Sequence, residues 1–198
     1  MRNVLLVSSI YDSFMLEEDG RLSDQIYEEF QNLNLSTLPR ITRVSSAKEA
    51  LDIIKTHNFD LVITMRHLGD MDAFSFGENV KEIQDIPVIL LLTSVIEISY
   101  LPIREKRKGI DRVFVWNGDS KVFVAIIKHL EDQLNAERDI EIGDVRVFIF
   151  VEDSIRFYSR FLLELYSEIR HQTHRLIQVG TNDFKELLKM RKKPKILL

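Results

Sequence analysis

The sequence predicts an α/β fold in which helices cover both faces of a parallel β-sheet. Two observations carry this prediction. Short apolar runs alternate with helix-like segments five times within about the first 137 residues, and such alternation is typical of right-handed βαβ units. The first run, residues 4–7, is apolar without interruption, which favours a strand buried on both faces.

Five strands are predicted from these runs. The second run alternates apolar and polar residues, and Pro87 opens the fourth, which is the most apolar. All have the length expected of strands in a globular domain. The predicted strands are residues 3–7, 40–44, 60–65, 87–93 and 110–116.

The segments between the strands carry helix signals. Ser46 and Glu49 match a capping box, in which the two side chains satisfy free backbone amides at a helix start. Pro102 suits the first position of a short helix, and Asp119 is a typical N-cap residue. The predicted helices are residues 11–35, 47–57, 73–83, a short helix from Pro102, and a helix from Asp119 to residue 138.

A sheet of this size favours the flavodoxin-like, doubly wound strand order 2-1-3-4-5. Ligands of such sheets bind outside the carboxyl ends of the strands, near the switch point between strands 1 and 3. The residues that follow the strands therefore form the candidate site. They are Ser8, Ser9, Met65, Thr93 and Trp116.

The pattern restarts after an acidic connector. The apolar run 147–151 is followed by the acidic pair Glu152 and Asp153. This repeats residues 4–7 followed by Ser8 and Ser9, at an offset of 144 residues. A long helical stretch (154–179), a second helix (183–191) and a strand (194–198) follow. We therefore predict a first domain at residues 1–138, a linker at 139–144, and the truncated start of a second, partial α/β domain at 145–198.

Two strands and a helical arm cannot bury a full core. We expect either that the chain is a fragment or that another chain completes the second domain. The alternative is that residues 145–198 pack as an appendage on the first domain.

The composition limits the classes of function. A net charge of −4 provides no basic excess for nucleic-acid binding. The chain has no cysteine, which excludes disulfides and thiolate metal sites, and no apolar run approaches the ~20 residues of a membrane span. We expect a cytoplasmic protein without a nucleic-acid or membrane partner.

Four segments carry a family resemblance: Asp-Leu-Val-Ile-Thr-Met at 60–65, Gly-Asp-Met-Asp-Ala at 69–73, Ile-Pro-Val-Ile-Leu at 86–90 and Gly-Ile-Asp-Arg-Val-Phe-Val at 109–115. In this order and spacing they resemble the CheY-like receiver domain of two-component response regulators. The resemblance covers residues 3–137, and it implies a site for aspartyl phosphorylation at the strand ends.

The resemblance implies five groups for that chemistry. An acidic pair after strand 1 and an acceptor aspartate hold Mg²⁺, while a threonine or serine and a lysine stabilise charge on the phosphoryl oxygens. The corresponding residues here are Ser8, Ser9, Met65, Thr93 and Trp116, although the alignment puts Leu92 rather than the threonine in the site. The resemblance thus indicates a degenerate pseudo-receiver. The alternative, that Met65 and Trp116 only fill the core at the strand ends, agrees with this interpretation.

In the second copy, Glu152 and Asp153 match the family's acidic pair. Two carboxylates without a third ligand predict at most weak Mg²⁺ binding. The alternative is that Asp153 caps the long helix. We expect no other cofactor.

Three further segments, at residues 151–158, 172–177 and 188–198, resemble the amino-terminal regulatory region of bacterial proteins related to phosphoenolpyruvate synthase and pyruvate phosphate dikinase. The resemblance implies a regulatory head whose parent protein carries phosphotransfer chemistry elsewhere. The long helix at 154–179 is rich in apolar and aromatic residues, so we also predict a homodimer through it.

The leading hypothesis is a non-catalytic signalling module that acts through contacts with protein partners or other domains of the same chain. A second hypothesis is a phosphorelay receiver phosphorylated on the second domain of the intact protein. A third is a flavodoxin-like enzyme that binds a small ligand at Ser8, Ser9 and Thr93.

Overall fold

The computed structural model describes residues 1–12, 24, 26–27, 39–103, 107–116, 118–143, 145–178 and 194–198, without the side chains of residues 170 and 173–178. The chain forms two compact units, Met1–Val122 (unit 1) and Phe123–Leu198 (unit 2). The predicted domains, residues 1–138 and 145–198, stay a prediction, because compact units and sequence repeats need not share boundaries.

Unit 1 contains a five-stranded parallel sheet. Its strands are β1 (Asn3–Val7), β2 (Arg40–Val44), β3 (Leu61–Met65), β4 (Val88–Leu92) and β5 (Arg112–Val115). Their order is β2-β1-β3-β4-β5, and all neighbours are parallel. Every residue of β3 and β4 is buried, as expected of strands with helices on both faces. The predicted fold class and strand order are confirmed.

The helices of unit 1 are α1 (Ala47–Ile54), α2 (Ala73–Ile83) and a 3-10 helix (Val95–Tyr100). The Ser46 hydroxyl accepts the Glu49 amide at the start of α1, as predicted. The Glu49 carboxylate reaches back to the Ser45 amide instead of that of Ser46. Helix α1 ends at Ile54, three residues before the predicted end, and the bounds of α2 match the prediction.

The prediction of a short helix that opens at Pro102 is wrong at the described residues. The 3-10 helix lies earlier and ends at Tyr100. Its start is capped by the Ser94 hydroxyl, which accepts the Ile96 amide. Residues 104–106, most of the predicted helix 11–35 and the predicted helix 183–191 lie outside the described residues.

Helix α2 and the turn before β5 approach each other backbone to backbone. A Cβ atom on Gly77 would lie 2.6 Å from the Gly109 carbonyl oxygen. A Cβ atom on Gly109, whose φ is +79°, would lie 2.2 Å from the Glu78 amide nitrogen. Only glycine satisfies both the positive φ and the close approach at position 109.

Four elements form most of unit 2: α3 (Lys121–Gly143, which begins at the unit boundary), β6 (Val147–Ile149), α4 (Ile155–Gln178) and β7 (Lys195–Leu197). Strands β6 and β7 pair in parallel, with Phe148 opposite Ile196. Helix α3 continues through residues 139–143, which were assigned to a linker, because no glycine or proline interrupts it before Gly143. None of the helices, within the described ranges, has the length and apolar character of a membrane-spanning segment.

A buried carboxylate joins α3 to the other elements of unit 2. Asp132 is fully buried and forms an ion pair with Lys128 on its own helix. Its Oδ2 accepts the Tyr166 hydroxyl and the Ile196 amide, both at 3.1 Å. The Lys195 amine lies 3.4 Å from its Oδ1. Asp132 thus satisfies polar groups from α4 and β7 inside the core of the unit.

Candidate functional site

The predicted site residues lie along one edge of the sheet in unit 1. The register pairs Val7 with Thr64, Met65 with Leu91, and Leu92 with Val115. Because parallel strands end at the same edge, the residues at and just after their carboxyl ends lie along that edge. These are Ser8, Ser9, Met65, Thr93 and Trp116.

The two serines after β1 have hydrogen-bond partners within the chain. Ser8 is buried, and its amide donates to the Val44 carbonyl at 3.2 Å. The Ser9 hydroxyl donates to the Asp12 carboxylate at 2.8 Å and accepts the Asp12 amide at 3.1 Å. The pair therefore places one buried and one partly buried serine, rather than two carboxylates, at this strand end.

Met65 ends β3 and is 1% exposed. The hydroxyl of its neighbour Thr64 donates to the Met65 carbonyl at 3.1 Å. A thioether is uncharged and is only a weak hydrogen-bond acceptor, and hard cations such as Mg²⁺ prefer oxygen ligands. The end of β3 is thus an apolar part of the core.

Arg66, the next residue, connects the end of β3 to the 3-10 helix. Its guanidinium donates to the carbonyls of Glu97 at 3.2 Å and Tyr100 at 3.1 Å. It also lies 5.9 Å from the centre of the Tyr100 ring, within the range of a cation–π contact. No local sequence pattern pointed to this residue, because its partners lie more than 30 positions away.

Thr93 is exposed and bound to Glu97. The backbone amide and the hydroxyl of Thr93 both donate to the same Glu97 carboxylate oxygen. Leu92 is fully buried as the last residue of β4. Glu97 was not among the predicted site residues, although Ser94 and Glu97 have the spacing of a capping box, which was the available signal.

Trp116 follows β5, and its amide donates to the Leu92 carbonyl at 2.8 Å. Its indole Nε1 is buried and has no hydrogen-bond partner among the residues that the structure describes. An indole N–H is a neutral donor. It therefore supplies no positive charge at the position where the resemblance implies a lysine.

The carboxylates in the loop after β3 cap helices. Asp70 accepts the amides of Lys48 at 2.9 Å and Ala47 at 3.0 Å, and the Lys48 hydrogen bond is the main reason that the pKa of Asp70 is lowered. Asp72 caps α2, and its hydrogen bond with the Ser75 side chain is the main reason that its pKa is lowered. Both side chains thus fix the helices beside the sheet.

We expect Asp70→Ala to destabilise unit 1 by about 1 kcal/mol at neutral pH, the usual loss when a helix cap is removed. A carboxyl group whose folded pKa is lowered contributes stability above its unfolded pKa of about 3.9. That contribution is lost as pH falls through the lower folded value. Urea unfolding across pH 7 to 3 should show the difference between wild type and variant shrinking. The control is Asp85→Ala, at a highly exposed carboxylate. If the stability difference between wild type and Asp70→Ala does not depend on pH, the capping role of the Asp70 carboxylate is contradicted.

In unit 2, the predicted acidic pair lies between β6 and α4. The Glu152 carboxylate accepts the Ser154 amide at 2.9 Å. Glu152 thus accepts a backbone amide just before α4, a role that we expected of Asp153 as the cap of this helix. Among the described residues, no three histidine, aspartate or glutamate side chains are grouped to hold a metal ion. Weak Mg²⁺ binding at Glu152 and Asp153 remains a prediction.

Comparisons with known proteins bear on this geometry. No family model matches the sequence. A two-component response regulator of Arabidopsis thaliana, ARR2, is 33% identical over 63 residues, which are 31% of this chain and 10% of ARR2. The chain thus matches only a tenth of the length of that relative.

Two solved structures have a similar fold. A two-component response regulator from Clostridium difficile has a TM-score of 0.51 and 16% identity, covering 68% of this chain and 99% of that one. A CheY-like receiver domain protein from Methanospirillum hungatei JF-1 has a TM-score of 0.51 and 16% identity, covering 69% and 98%. The chain contains a receiver fold.

Proposed function

We propose that unit 1 is a non-catalytic signalling module, a pseudo-receiver that acts through protein contacts without aspartyl phosphorylation. The observation that carries this proposal is the buried Met65 thioether at the end of β3. Transfer of a phosphoryl group to a receiver requires a carboxylate at this place, because the product is an acyl phosphate. A thioether cannot form that product.

The neighbouring groups support the same conclusion. Phosphoryl transfer depends on positioned cations and hydrogen-bond donors. At the strand ends, the hydroxyls of Ser9 and Thr93 donate to carboxylates of the chain itself, and Trp116 carries no charge. These contacts also weaken the hypothesis of an enzyme that binds a small ligand through the same hydroxyls.

The surface from Val95 to Ile103 is suited to protein contacts. It exposes three large apolar side chains, Ile96, Tyr100 and Ile103, each more than 60% exposed. Arg66 binds the carbonyls of this segment directly. We infer that a protein partner or another domain of the intact protein docks here, next to the degenerate site.

The single tryptophan provides the test. Trp116 lies at the strand ends, so its fluorescence should report any occupant of a phosphorylation site. We expect a flat response when Mg²⁺ and beryllofluoride, a mimic of the acyl phosphate, are added. A saturable change that requires both additions would contradict the proposal.

A matched variant shows whether Trp116 fluorescence can report Mg²⁺ binding at the strand ends. Ser8→Asp, Ser9→Asp and Met65→Asp together restore three carboxylates at the strand ends, and Mg²⁺ prefers such oxygen ligands. We expect this variant, checked for folding by circular dichroism in Mg²⁺, to show a Mg²⁺-dependent change of Trp116 fluorescence. Failure of the folded variant to respond would mean that the assigned positions do not converge.

The wider context rests on the sequence resemblances. We propose that the chain is a regulatory head of a phosphoenolpyruvate- or pyruvate-related phosphotransferase protein, that it works in the cytoplasm, and that its partners are proteins rather than nucleic acid. Phosphorylation on a second domain of the intact protein is the alternative. The Glu152 and Asp153 pair is the feature that favours it.

Self-association through the long helix is also proposed.

A further inference from the structure

Helix α4 presents an apolar row to solvent. Phe157, Phe161 and Leu165 follow one another at four-residue spacing, and all three are exposed. The rings of Phe157 and Phe161 stack with centroids 5.9 Å apart. The neighbouring row of the same helix, Tyr158, Leu162 and Tyr166, is buried in unit 2. The helix therefore has two adjacent apolar rows, and the side chains of one of them are exposed.

The exposed apolar row continues onto β6. Phe150, just after β6, contacts Phe161 edge to face at 6.2 Å. Ile149 is 79% exposed, whereas the corresponding strand of unit 1, β1, is buried at four of its five residues. An apolar cavity of about 430 Å³ lies between the two elements. Its lining includes Phe148, Ile149, Phe150, Leu165, Ile169 and Ile196. Contiguous exposed apolar surface of this kind marks an interaction site.

A row of charges beside the apolar row indicates what covers it. Arg156, Arg160, Glu164 and Glu168 also follow at four-residue spacing, and all are exposed. The amino-terminal half of the row is basic and the carboxyl-terminal half is acidic. The Arg156 guanidinium lies 5.9 Å from the centre of the Phe157 ring, which places the two rows side by side.

This charge row is complementary to itself only when two copies run in opposite directions. In an antiparallel pair of α4 helices, Arg156 meets Glu168 of the second copy, and Arg160 meets its Glu164. In a parallel two-fold pair the row does not meet itself, because each flank of the seam then faces the other flank of the second helix. Charged residues that flank an apolar seam set partner choice and orientation in paired helices.

We propose that two copies of the chain pair antiparallel through α4. In this arrangement Phe157 of each copy lies opposite Leu165 of the other and enters the apolar cavity between α4 and β6. The symmetric pairing uses the same surface on both copies, as expected of a two-fold dimer. It rests on the self-association proposed above, to which it gives an arrangement in unit 2, and does not depend on the signalling function proposed for unit 1.

Charge-reversal variants test both the dimer and its direction. An acidic variant carries Arg156→Glu and Arg160→Glu, and a basic variant carries Glu164→Arg and Glu168→Arg. All four positions are exposed, so the variants should fold. In sedimentation velocity at high micromolar concentration, we expect wild type to be a dimer and each variant alone to be a monomer. A mixture of the two should form a heterodimer, because an acidic row then meets a basic one.

The matched control reverses two charges elsewhere in unit 2. Glu137→Arg with Arg138→Glu changes exposed residues of α3 and should leave the dimer intact. A monomeric wild type would assign the apolar face to another polypeptide and overturn the proposal. If the acidic or the basic variant alone forms a dimer, or if their mixture stays monomeric, the antiparallel arrangement is overturned.

Discussion

Gly109→Ala should destabilise unit 1 by roughly 2–5 kcal/mol, the sum of a positive-φ cost of about 1–2 kcal/mol and an overpacking cost of about 1–3 kcal/mol. The added Cβ atom would lie 2.2 Å from the Glu78 amide nitrogen, at a φ of +79°. Because the obstructing atom belongs to the backbone of α2, no side-chain rotation relieves the clash. Urea unfolding, followed by the fluorescence of Trp116, measures the loss.

Gly118→Ala is the matched control for this prediction. Gly118 has nearly the same φ, +81°, but nothing lies within 4 Å of its added Cβ atom. This variant should lose only the cost of the left-handed backbone, about 1–2 kcal/mol. The difference between the two variants isolates the close approach of α2 to the turn before β5. Equal losses would mean that the two segments can move apart.

Asp132→Ala should destabilise unit 2 by about 3–5 kcal/mol, the usual result of removing one partner of a buried ion pair. The substitution leaves the amines of Lys128 and Lys195 without this carboxylate in a buried setting, and it removes the acceptor of the Ile196 amide. Burial of Tyr166, with the nearby Asp132 charge, raises the pKa of the tyrosine. Its hydroxyl therefore stays protonated at neutral pH and loses its acceptor as well.

Hydrogen exchange at the Ile196 amide measures this prediction locally, because that amide donates to Asp132 at 3.1 Å. We expect its protection to fall in Asp132→Ala together with the thermal stability of the unit. Glu137→Ala, at an exposed position of the same helix, should change stability by no more than about 0.5 kcal/mol. Unchanged protection at Ile196 in Asp132→Ala would show that pairing with β6 and apolar packing hold β7 without the Asp132 carboxylate.

Lys195 shows why this network is stable at neutral pH. Burial lowers the pKa of Lys195, but its hydrogen bond with Asp139 and its attraction to Asp132 outweigh burial, so the pKa is raised. A lysine with a raised folded pKa contributes stability below its unfolded value of about 10.4 and loses it as pH rises through the folded value. Lys195 therefore keeps its positive charge, and with it the attraction to Asp132 and Asp139, across the physiological pH range.

Local patterns predicted the strands well. They located β1 and β2 to the residue, because apolar side chains recur along a strand wherever it faces the core. The fourth and fifth runs extended beyond their strands, to 87–93 and 110–116 against Val88–Leu92 and Arg112–Val115. Strand ends depend on the hydrogen bonds of the neighbouring strand, which an apolar run does not show.

The short helix after β4 shows how competing local signals misled the prediction. Pro102 favours a helix start, but Ser94 and Glu97 offer capping groups eight and five residues earlier. The structure uses Ser94 to cap the 3-10 helix and binds Glu97 to Thr93. Proline then lies after the end of that helix, a position it also favours.

By itself, the sequence determined which chemical groups stand at the strand ends, because the alternation of apolar runs and helices defines the sheet and its order. The methionine at the end of the third strand and the tryptophan after the fifth follow from that alternation alone. Only the tertiary structure decided which partners those groups and their neighbours have. Arg66 meets Tyr100 across 34 residues, and Asp132 meets Ile196 across 64. Such contacts depend on burial and on the packing of distant segments, and no local pattern encodes them.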